Sequence, residues 1–429
     1  MGFLSGTSFI PSPHKGFYGW RMVVFASIAL ALTGPGQTFG VSVFVDPMIE
    51  DLGISRTQIS TAYLVGTLVG ALALPWIGQA IDRFGVRRTM ALIGLIFSIM
   101  LMSMSLVSGI IGLTAGFIGV RMMGQGALSL VATTAVALWF TRKRGLAMGI
   151  VSAAGGMGMT LVPLAGERLI FGLGWRTAWL IEGLVVLVVV VPLAIFAIRN
   201  RPSDIGQHVD GDPAPSAATG EVWGVTRKEA LCTGFFWLVT AAVATVSLLT
   251  TAVVFHQIDL LGSRGLTPTE AAGNFVPQTI ATVIATLGIG ALADRISPRL
   301  VLAASMAMMA GGLVLGVIAA PGLLAISFGM LIGASGGAIR VVEATELPRY
   351  FGTLHIGAIR GVVTSVGIAG AALGPVLFSV FHDVTGDYSA VLLASLVLPL
   401  AVIVGAFAVR LPRHTAPDAT GEAHLVHEA

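Results

Sequence analysis

The chain has 429 residues, of which 55% are hydrophobic and only 10% charged, far from the roughly 25% charged content of soluble domains. Its net charge of +3 does not describe a nucleic-acid surface, because the basic residues fall between apolar runs and form no stripe. The single cysteine, Cys232, excludes an intrachain disulfide.

The first nineteen residues, with Pro11, Pro13, His14 and Lys15, hold no apolar core followed by a small-residue cleavage site, so no cleaved signal peptide is expected. Hydrocarbon about 30 Å thick needs about 20 apolar residues per helix, since unpaired backbone groups are not tolerated there. Twelve windows qualify, near 20–45, 58–81, 90–108, 112–138, 146–170, 176–198, 231–255, 271–292, 300–319, 322–346, 361–381 and 388–409. They predict an all-α membrane protein with twelve transmembrane helices in two six-helix, pseudo-symmetric bundles. Lysine and arginine are concentrated in alternate loops, including Arg83, Arg87, Arg88, Arg142, Lys143, Arg144, Arg199, Arg201, Arg227 and Lys228, while the other loops keep Arg56, Arg168, Arg176 and Arg264. That imbalance puts both termini in the cytoplasm. The expected organisation is an N-terminal bundle over 1–198, a polar cytoplasmic linker over 199–229 containing Pro202, Pro213 and Pro215, a C-terminal bundle over 230–410 and a disordered cytoplasmic tail over 411–429.

Between the second and third windows lies Gly78-Gln79-Ala80-Ile81-Asp82-Arg83-Phe84-Gly85-Val86-Arg87-Arg88. Adding 212 to Gly78, Asp82 and Arg83 reaches Gly290, Asp294 and Arg295, in a second short charged hinge between apolar runs. The same offset takes Gly53 to Gly265 and Pro163 to Pro375, so the halves read as two copies of one unit. Glycine in such a hinge lets backbones approach, and an aspartate or arginine pair formed in only one conformation biases a rocking equilibrium. The plainer reading, basic residues as topology anchors, also fits.

Ionisable residues inside membrane helices cost about 2.5–3.5 kcal/mol on insertion scales and therefore face a partner or a wet cavity. Here they are Arg121 and Arg340, with Glu182, Glu343 and Glu346 nearby. Arg340 is the candidate anion anchor, because a guanidinium offers a permanent charge and a planar bidentate fork to a carboxylate. Glu343 lies three residues on and is an alternative, internal partner; protonation of Glu343, or of Glu182 or Glu346, would couple transport to a proton. Arg121 is read either as part of proton transfer or as a packing partner of Glu182 or of backbone carbonyls. Gln37, Tyr63, Asn274 and Gln278 are candidate substrate contacts, with Thr38, Thr364 and Ser365 as weaker ones; all can equally bond between helices. His256 at a helix end is a possible proton sensor or a plain interfacial histidine. Metal-spaced His/Cys clusters, phosphate loops and nucleophile–base pairs are absent from the sequence, so neither an enzyme nor a cofactor or metal is expected.

Two related halves, paired hinges after helices 2 and 8, and Arg121 followed by Gly124 and Gly126 in helix 4 resemble the major facilitator superfamily. Tyr18-Gly19-Trp20 at the start of helix 1, Arg201-Pro202-Ser203-Asp204-Ile205-Gly206 after helix 6 and Asp383-Val384-Thr385-Gly386-Asp387-Tyr388 between helices 11 and 12 are similar to segments of bacterial monocarboxylate and oxalate:formate type carriers. The resemblance implies alternating access around a central site lined by helices 1, 4, 7 and 10. It implies a secondary active transporter in the cell membrane, sufficient as a monomer, that moves a small organic anion such as a monocarboxylate by proton coupling or exchange. A multidrug or metabolite:proton antiporter and a non-transporting membrane sensor are the alternatives. Characterised carboxylate carriers often hold an arginine in helix 8, where this chain has Thr279, Thr282 and Thr286 and no basic residue.

Overall fold

The computed structural model describes residues 16–141, 143–211, 224–292, 296–352, 355–410, 413–414 and 425–426. Helix 1 is broken where its sequence is least able to continue. Gly19–Ala31 gives way to a tight turn at Gly34–Gly36, and Thr38–Leu52 completes the crossing. Pro35 has no N–H for the ladder, and its glycine neighbours add no side-chain stiffness. Helix 2, Arg56–Leu72, starts on a capping box in which Ser55 and Gln58 satisfy each other's backbone N–H. The segment Leu74–Met104 then carries the end of helix 2 into helix 3 through Gly85, whose φ of 79° marks the bend. Asn200 closes that bend: its Oδ1 accepts from the Arg87 N–H at 3.0 Å.

Helix 4, Ile110–Ala137, contains a widened π-type stretch at Arg121–Leu128. Helix 5 is Arg144–Leu173 and helix 6 is Trp175–Ala197. The second half follows as Gly234–Gly262, Pro268–Leu292, Pro298–Val317, Leu323–Phe351, Ile356–Thr385 and Ser389–Ala408, helices 7 to 12. Among the described residues, ten helices are long and apolar enough to cross a membrane by length and composition. The even number of passes brings the chain back to the side on which helix 1 began; that face is the termini side below, and the opposite face the distal side.

The 212-residue repeat is visible in the local geometry. The Ser55–Gln58 box recurs as Thr267–Glu270 at the start of helix 8. Gly53 and Gly265 both take positive φ, 62° and 90°, and so do Gly174 and Gly386, 79° and 73°. Pro163 and Pro375 both sit inside long helices, 5 and 11. Glycine therefore marks equivalent turns in each half because those turns need the left-handed region.

The linker is fastened at its two ends. Asp210 accepts from the backbone N–H groups of Thr141 and Lys143 at 3.0 and 3.2 Å, and Gln207 bonds Tyr18 and Gly16. Further on, Val225 donates to the Phe351 carbonyl at 3.0 Å. In the tail beyond 410, the described residues Arg413–His414 and Leu425–Val426 pair antiparallel; the rest of the tail expected to be disordered lies outside the described residues.

Candidate functional site

Helix 10 holds Arg340, an exposed charge within a membrane-length helix. Its glycines pack on helix 8: a Cβ at Gly333 would lie 1.9 Å from the Gln278 carbonyl oxygen, and one at Gly337 would lie 2.4 Å from that of Thr282. Thr282 and Thr286 reinforce the seam by donating to the Gly333 and Gly337 carbonyls at 2.9 and 3.4 Å. The threonines of helix 8 are thus used to hold helix 10 against it. One turn beyond this seam stands Arg340, 11 residues and so about 16 Å from the Phe351 end of its helix. Arg340 is exposed although it stands in the body of a membrane-length helix. Among the described residues it makes no ion pair and no side-chain hydrogen bond. Glu343, three residues on, gives its carboxylate to Arg360 of helix 11 at 3.3 Å. Glu346, a turn further, lies 3.9 Å from Arg349.

Arg121 has the opposite environment. It is 3% exposed, and its guanidinium donates to Thr67 Oγ1 of helix 2 at 3.1 Å and to the Gly36 carbonyl of the helix 1 break at 3.0 Å. The Tyr63 ring lies beneath it, 4.5 Å from the guanidinium carbon. Its partners come from helices 1 and 2 and none is a carboxylate, so from helix 4 it acts as a clamp on the broken helix. The break can sit against helix 4 because Gly36 carries no Cβ: one there would meet the Val120 oxygen at 2.8 Å and the Gly124 Cα at 2.9 Å.

The remaining candidates are spread through both bundles. Gln37 donates to Thr33 at 3.1 Å within helix 1. Tyr63 is fully buried, with its hydroxyl 2.6 Å from Thr38 and its ring 4.6 Å from Phe255 of helix 7, where the bundles meet. Gln278 is buried beside the helix 8–10 seam, and its Oε1 has no partner among the described residues. Asn274 donates to the Ala325 carbonyl at 2.8 Å, tying the distal ends of helices 8 and 10. Glu182 is buried in helix 6, its Oε2 unpartnered among the described residues, and no ion pair joins it to Arg121. At the hinges, Gly78 and Gly290 have open space where a Cβ would stand, and Arg83 is exposed over the Phe84 ring. Nothing is described of the Asp82 side chain, and Asp294 and Arg295 lie outside the described residues.

Charges that the sequence placed in loops form the closure between bundles on the distal side. Arg56 at the start of helix 2 pairs with Asp46 of its own bundle at 2.6 Å and with Asp259 of helix 7 at 3.3 Å. The Tyr388 hydroxyl donates to Asp259 at 2.7 Å, and burial pushes that phenol above its ordinary range, so it stays a donor. His382 lies 3.9 Å from both Asp259 and Asp383, and Asp383 accepts from Thr57 of the other bundle. Buried His256 donates through Nε2 to the Pro375 carbonyl at 2.9 Å. Thr269 reaches Glu167 across helices 8 and 5 at 2.8 Å. Alongside, Arg264 binds Asp387 at 3.1 Å, and hydrogen bonds from Ser389 hold the Asp387 carboxyl below the ordinary carboxylate range. These contacts fasten the distal side, while Arg340 stands nearer the termini-side end of helix 10. The available signal was the clustering of unlike charges at helix ends: Asp46 and Asp259 stand 213 residues apart, one residue off the repeat.

Residues 24–273 match the profile of the Major Facilitator Superfamily. The chain is similar to Monocarboxylate transporter 13 of Bos taurus, 25% identical over 387 residues that cover 88% of this chain and 86% of the relative. It is also similar to the Oxalate:formate antiporter of Oxalobacter formigenes, 26% identical over 182 residues covering 42% of each chain. Among solved structures, a bacterial homolog of the human lysosomal transporter Spinster, in an inward-facing and unoccupied conformation, superposes with a TM-score of 0.70 at 16% identity, over 92% of this chain and 96% of that one.

Proposed function

This chain belongs to the Major Facilitator Superfamily, and on that premise we propose that it is a secondary active carrier of small organic anions, monocarboxylates first, working by alternating access with both termini in the cytoplasm. The observation that carries the reading is Arg340: a cation in the body of a membrane-length helix, exposed and with no ion pair or hydrogen bond among the described residues. Leaving a guanidinium unpaired at that depth is costly unless something anionic takes its place. A carboxylate fits its fork in geometry and charge.

Charge balance selects a monoanion. Arg340, Arg360 and Glu343 leave one net positive charge, and the neighbouring Glu346 and Arg349 cancel. One carboxylate on Arg340 neutralises the group. If a proton on Glu343 travels with the anion, the loaded site carries the same net charge as the unloaded one, which makes cotransport of anion and proton electroneutral. Relatives named as monocarboxylate and oxalate:formate carriers support the substrate class. Contacts between the bundles on the distal side support a carrier closed on that side, which in this reading faces away from the cytoplasm.

The reading is tested by counterflow in proteoliposomes loaded with lactate, presenting labelled lactate, pyruvate, formate, oxalate and succinate outside. The expected order is monocarboxylates above the dianions. Equal counterflow of organic cations with no carboxylate exchange would replace it with the antiporter alternative.

A further inference from the structure

The observation that calls for a cause is that Arg340 makes no ion pair or hydrogen bond among the described residues, while Glu343, three residues away and near enough to act on it through charge, is paired with another arginine. Side chains at this spacing are neighbours on a helix surface, with Cβ atoms about 5–6 Å apart, and opposite charges there attract. What holds the carboxylate away is Arg360 of helix 11, whose Nη2 lies 3.3 Å from Glu343 Oε1, with the carboxylate 19% exposed and the guanidinium 46%. We propose that Arg360 is a positioning residue that sequesters the Glu343 carboxylate and so keeps the Arg340 guanidinium open for substrate. The inference rests on the anion-anchor reading of Arg340.

Its content is competition. Without Arg360, Glu343 is a tethered carboxylate beside Arg340, present at a high effective concentration whatever the substrate concentration outside. It then acts as an internal competitive inhibitor: apparent affinity falls, while the rate at saturating substrate does not. Arg360 contributes to binding only through the residue it restrains, so removing Glu343 as well makes Arg360 dispensable for affinity. That sign of coupling separates positioning from direct contact, because neighbours that both touch substrate would lose affinity cumulatively.

The experiment is lactate exchange in proteoliposomes at equal pH on both sides, so that no proton gradient is required, with wild type, Arg360→Gln, Arg360→Lys, Glu343→Gln, the Arg360→Gln/Glu343→Gln double variant and Arg340→Gln. Arg360→Gln is expected to raise KM by on the order of tenfold with kcat within about twofold. Lysine at 360 still presents a cation to Glu343 and is expected to retain a KM near wild type. The double variant is expected to return KM to within about threefold of wild type. A double variant as impaired as Arg360→Gln overturns the inference, since Arg360 would then touch substrate or hold the fold by itself. An unchanged KM in Arg360→Gln overturns it equally. The Arg340→Gln arm separates the two levels of the reasoning: if it exchanges lactate with the wild-type KM, the anion anchor fails, whereas loss of its exchange with no Arg360–Glu343 coupling rejects the positioning role alone.

Discussion

Replacing Arg56 by glutamine should open the distal side. Arg56 is the cation shared by Asp46 of one bundle and Asp259 of the other, and its 3.3 Å contact with Asp259 crosses the interface with side chains only 13% and 30% exposed. At an effective dielectric of about 20, unit charges at that separation attract by roughly 5 kcal/mol. Desolvation of both groups, and the hold that Asp46 already has on the guanidinium, offset more than half of this, leaving about 2 kcal/mol in favour of the closed arrangement. A loss of that size shifts the ratio of closed to open carriers by about 30-fold. Asp259→Asn should act in the same direction while leaving the Arg56–Asp46 pair intact within its bundle. The assay is pulsed electron–electron spin resonance in nanodiscs, in a Cys232→Ser background, with labels at Leu106 and Leu323. These positions are 82% and 81% exposed and lie at the distal ends of opposite bundles, Leu106 in the loop after helix 3 and Leu323 at the first residue of helix 10. A longer-distance population should grow in both variants. Distance distributions that match wild type in both would refute the assignment of this pair as the distal lock.

Arg121→Ala should lower thermal stability by about 3 kcal/mol, because it strands the buried Gly36 carbonyl and empties a site that ties together three helices; a melting curve in detergent checks it, and a change under about 0.5 kcal/mol would contradict the clamp. Gly333→Ala should be severely destabilising, since the added Cβ would stand 1.9 Å from the Gln278 oxygen, whereas Gly336→Ala, with nothing within 4 Å, should melt close to wild type. If both melt alike, the helix 8–10 seam is not as tight as described. Glu343→Gln should keep lactate exchange but lose accumulation driven by an inward proton gradient; accumulation unchanged from wild type would remove Glu343 from proton coupling.

The parts of the account that were legible in sequence are those governed by local rules. The 212-residue offset announced equivalent turns, and positive φ at Gly53 and Gly265 and at Gly174 and Gly386 follows from what only glycine does readily. Arg340 stood out because an arginine within an apolar window demands an explanation. What the sequence could not supply were partners chosen over long separations. Spacing favoured Glu343 as the companion of Arg340, but the carboxylate lies against Arg360 across a helix boundary. The threonines of helix 8 read as a missing arginine, yet they bond to carbonyls freed for contact by the glycines of helix 10. Asn274, read as a candidate substrate contact, donates its amide to the Ala325 backbone carbonyl, a partner that no side-chain pattern announces. Arg56, Asp46 and Asp259 sat at helix ends, where charges ordinarily report topology, and only the packing of one bundle on the other makes them a lock.

The most direct test of the central claim is uptake of labelled lactate into proteoliposomes under an inward proton gradient, with wild type beside Arg340→Gln. The account predicts accumulation by wild type that collapses when the gradient is dissipated, and none by the variant in vesicles containing equal amounts of folded protein. Accumulation by Arg340→Gln equal to wild type would contradict it.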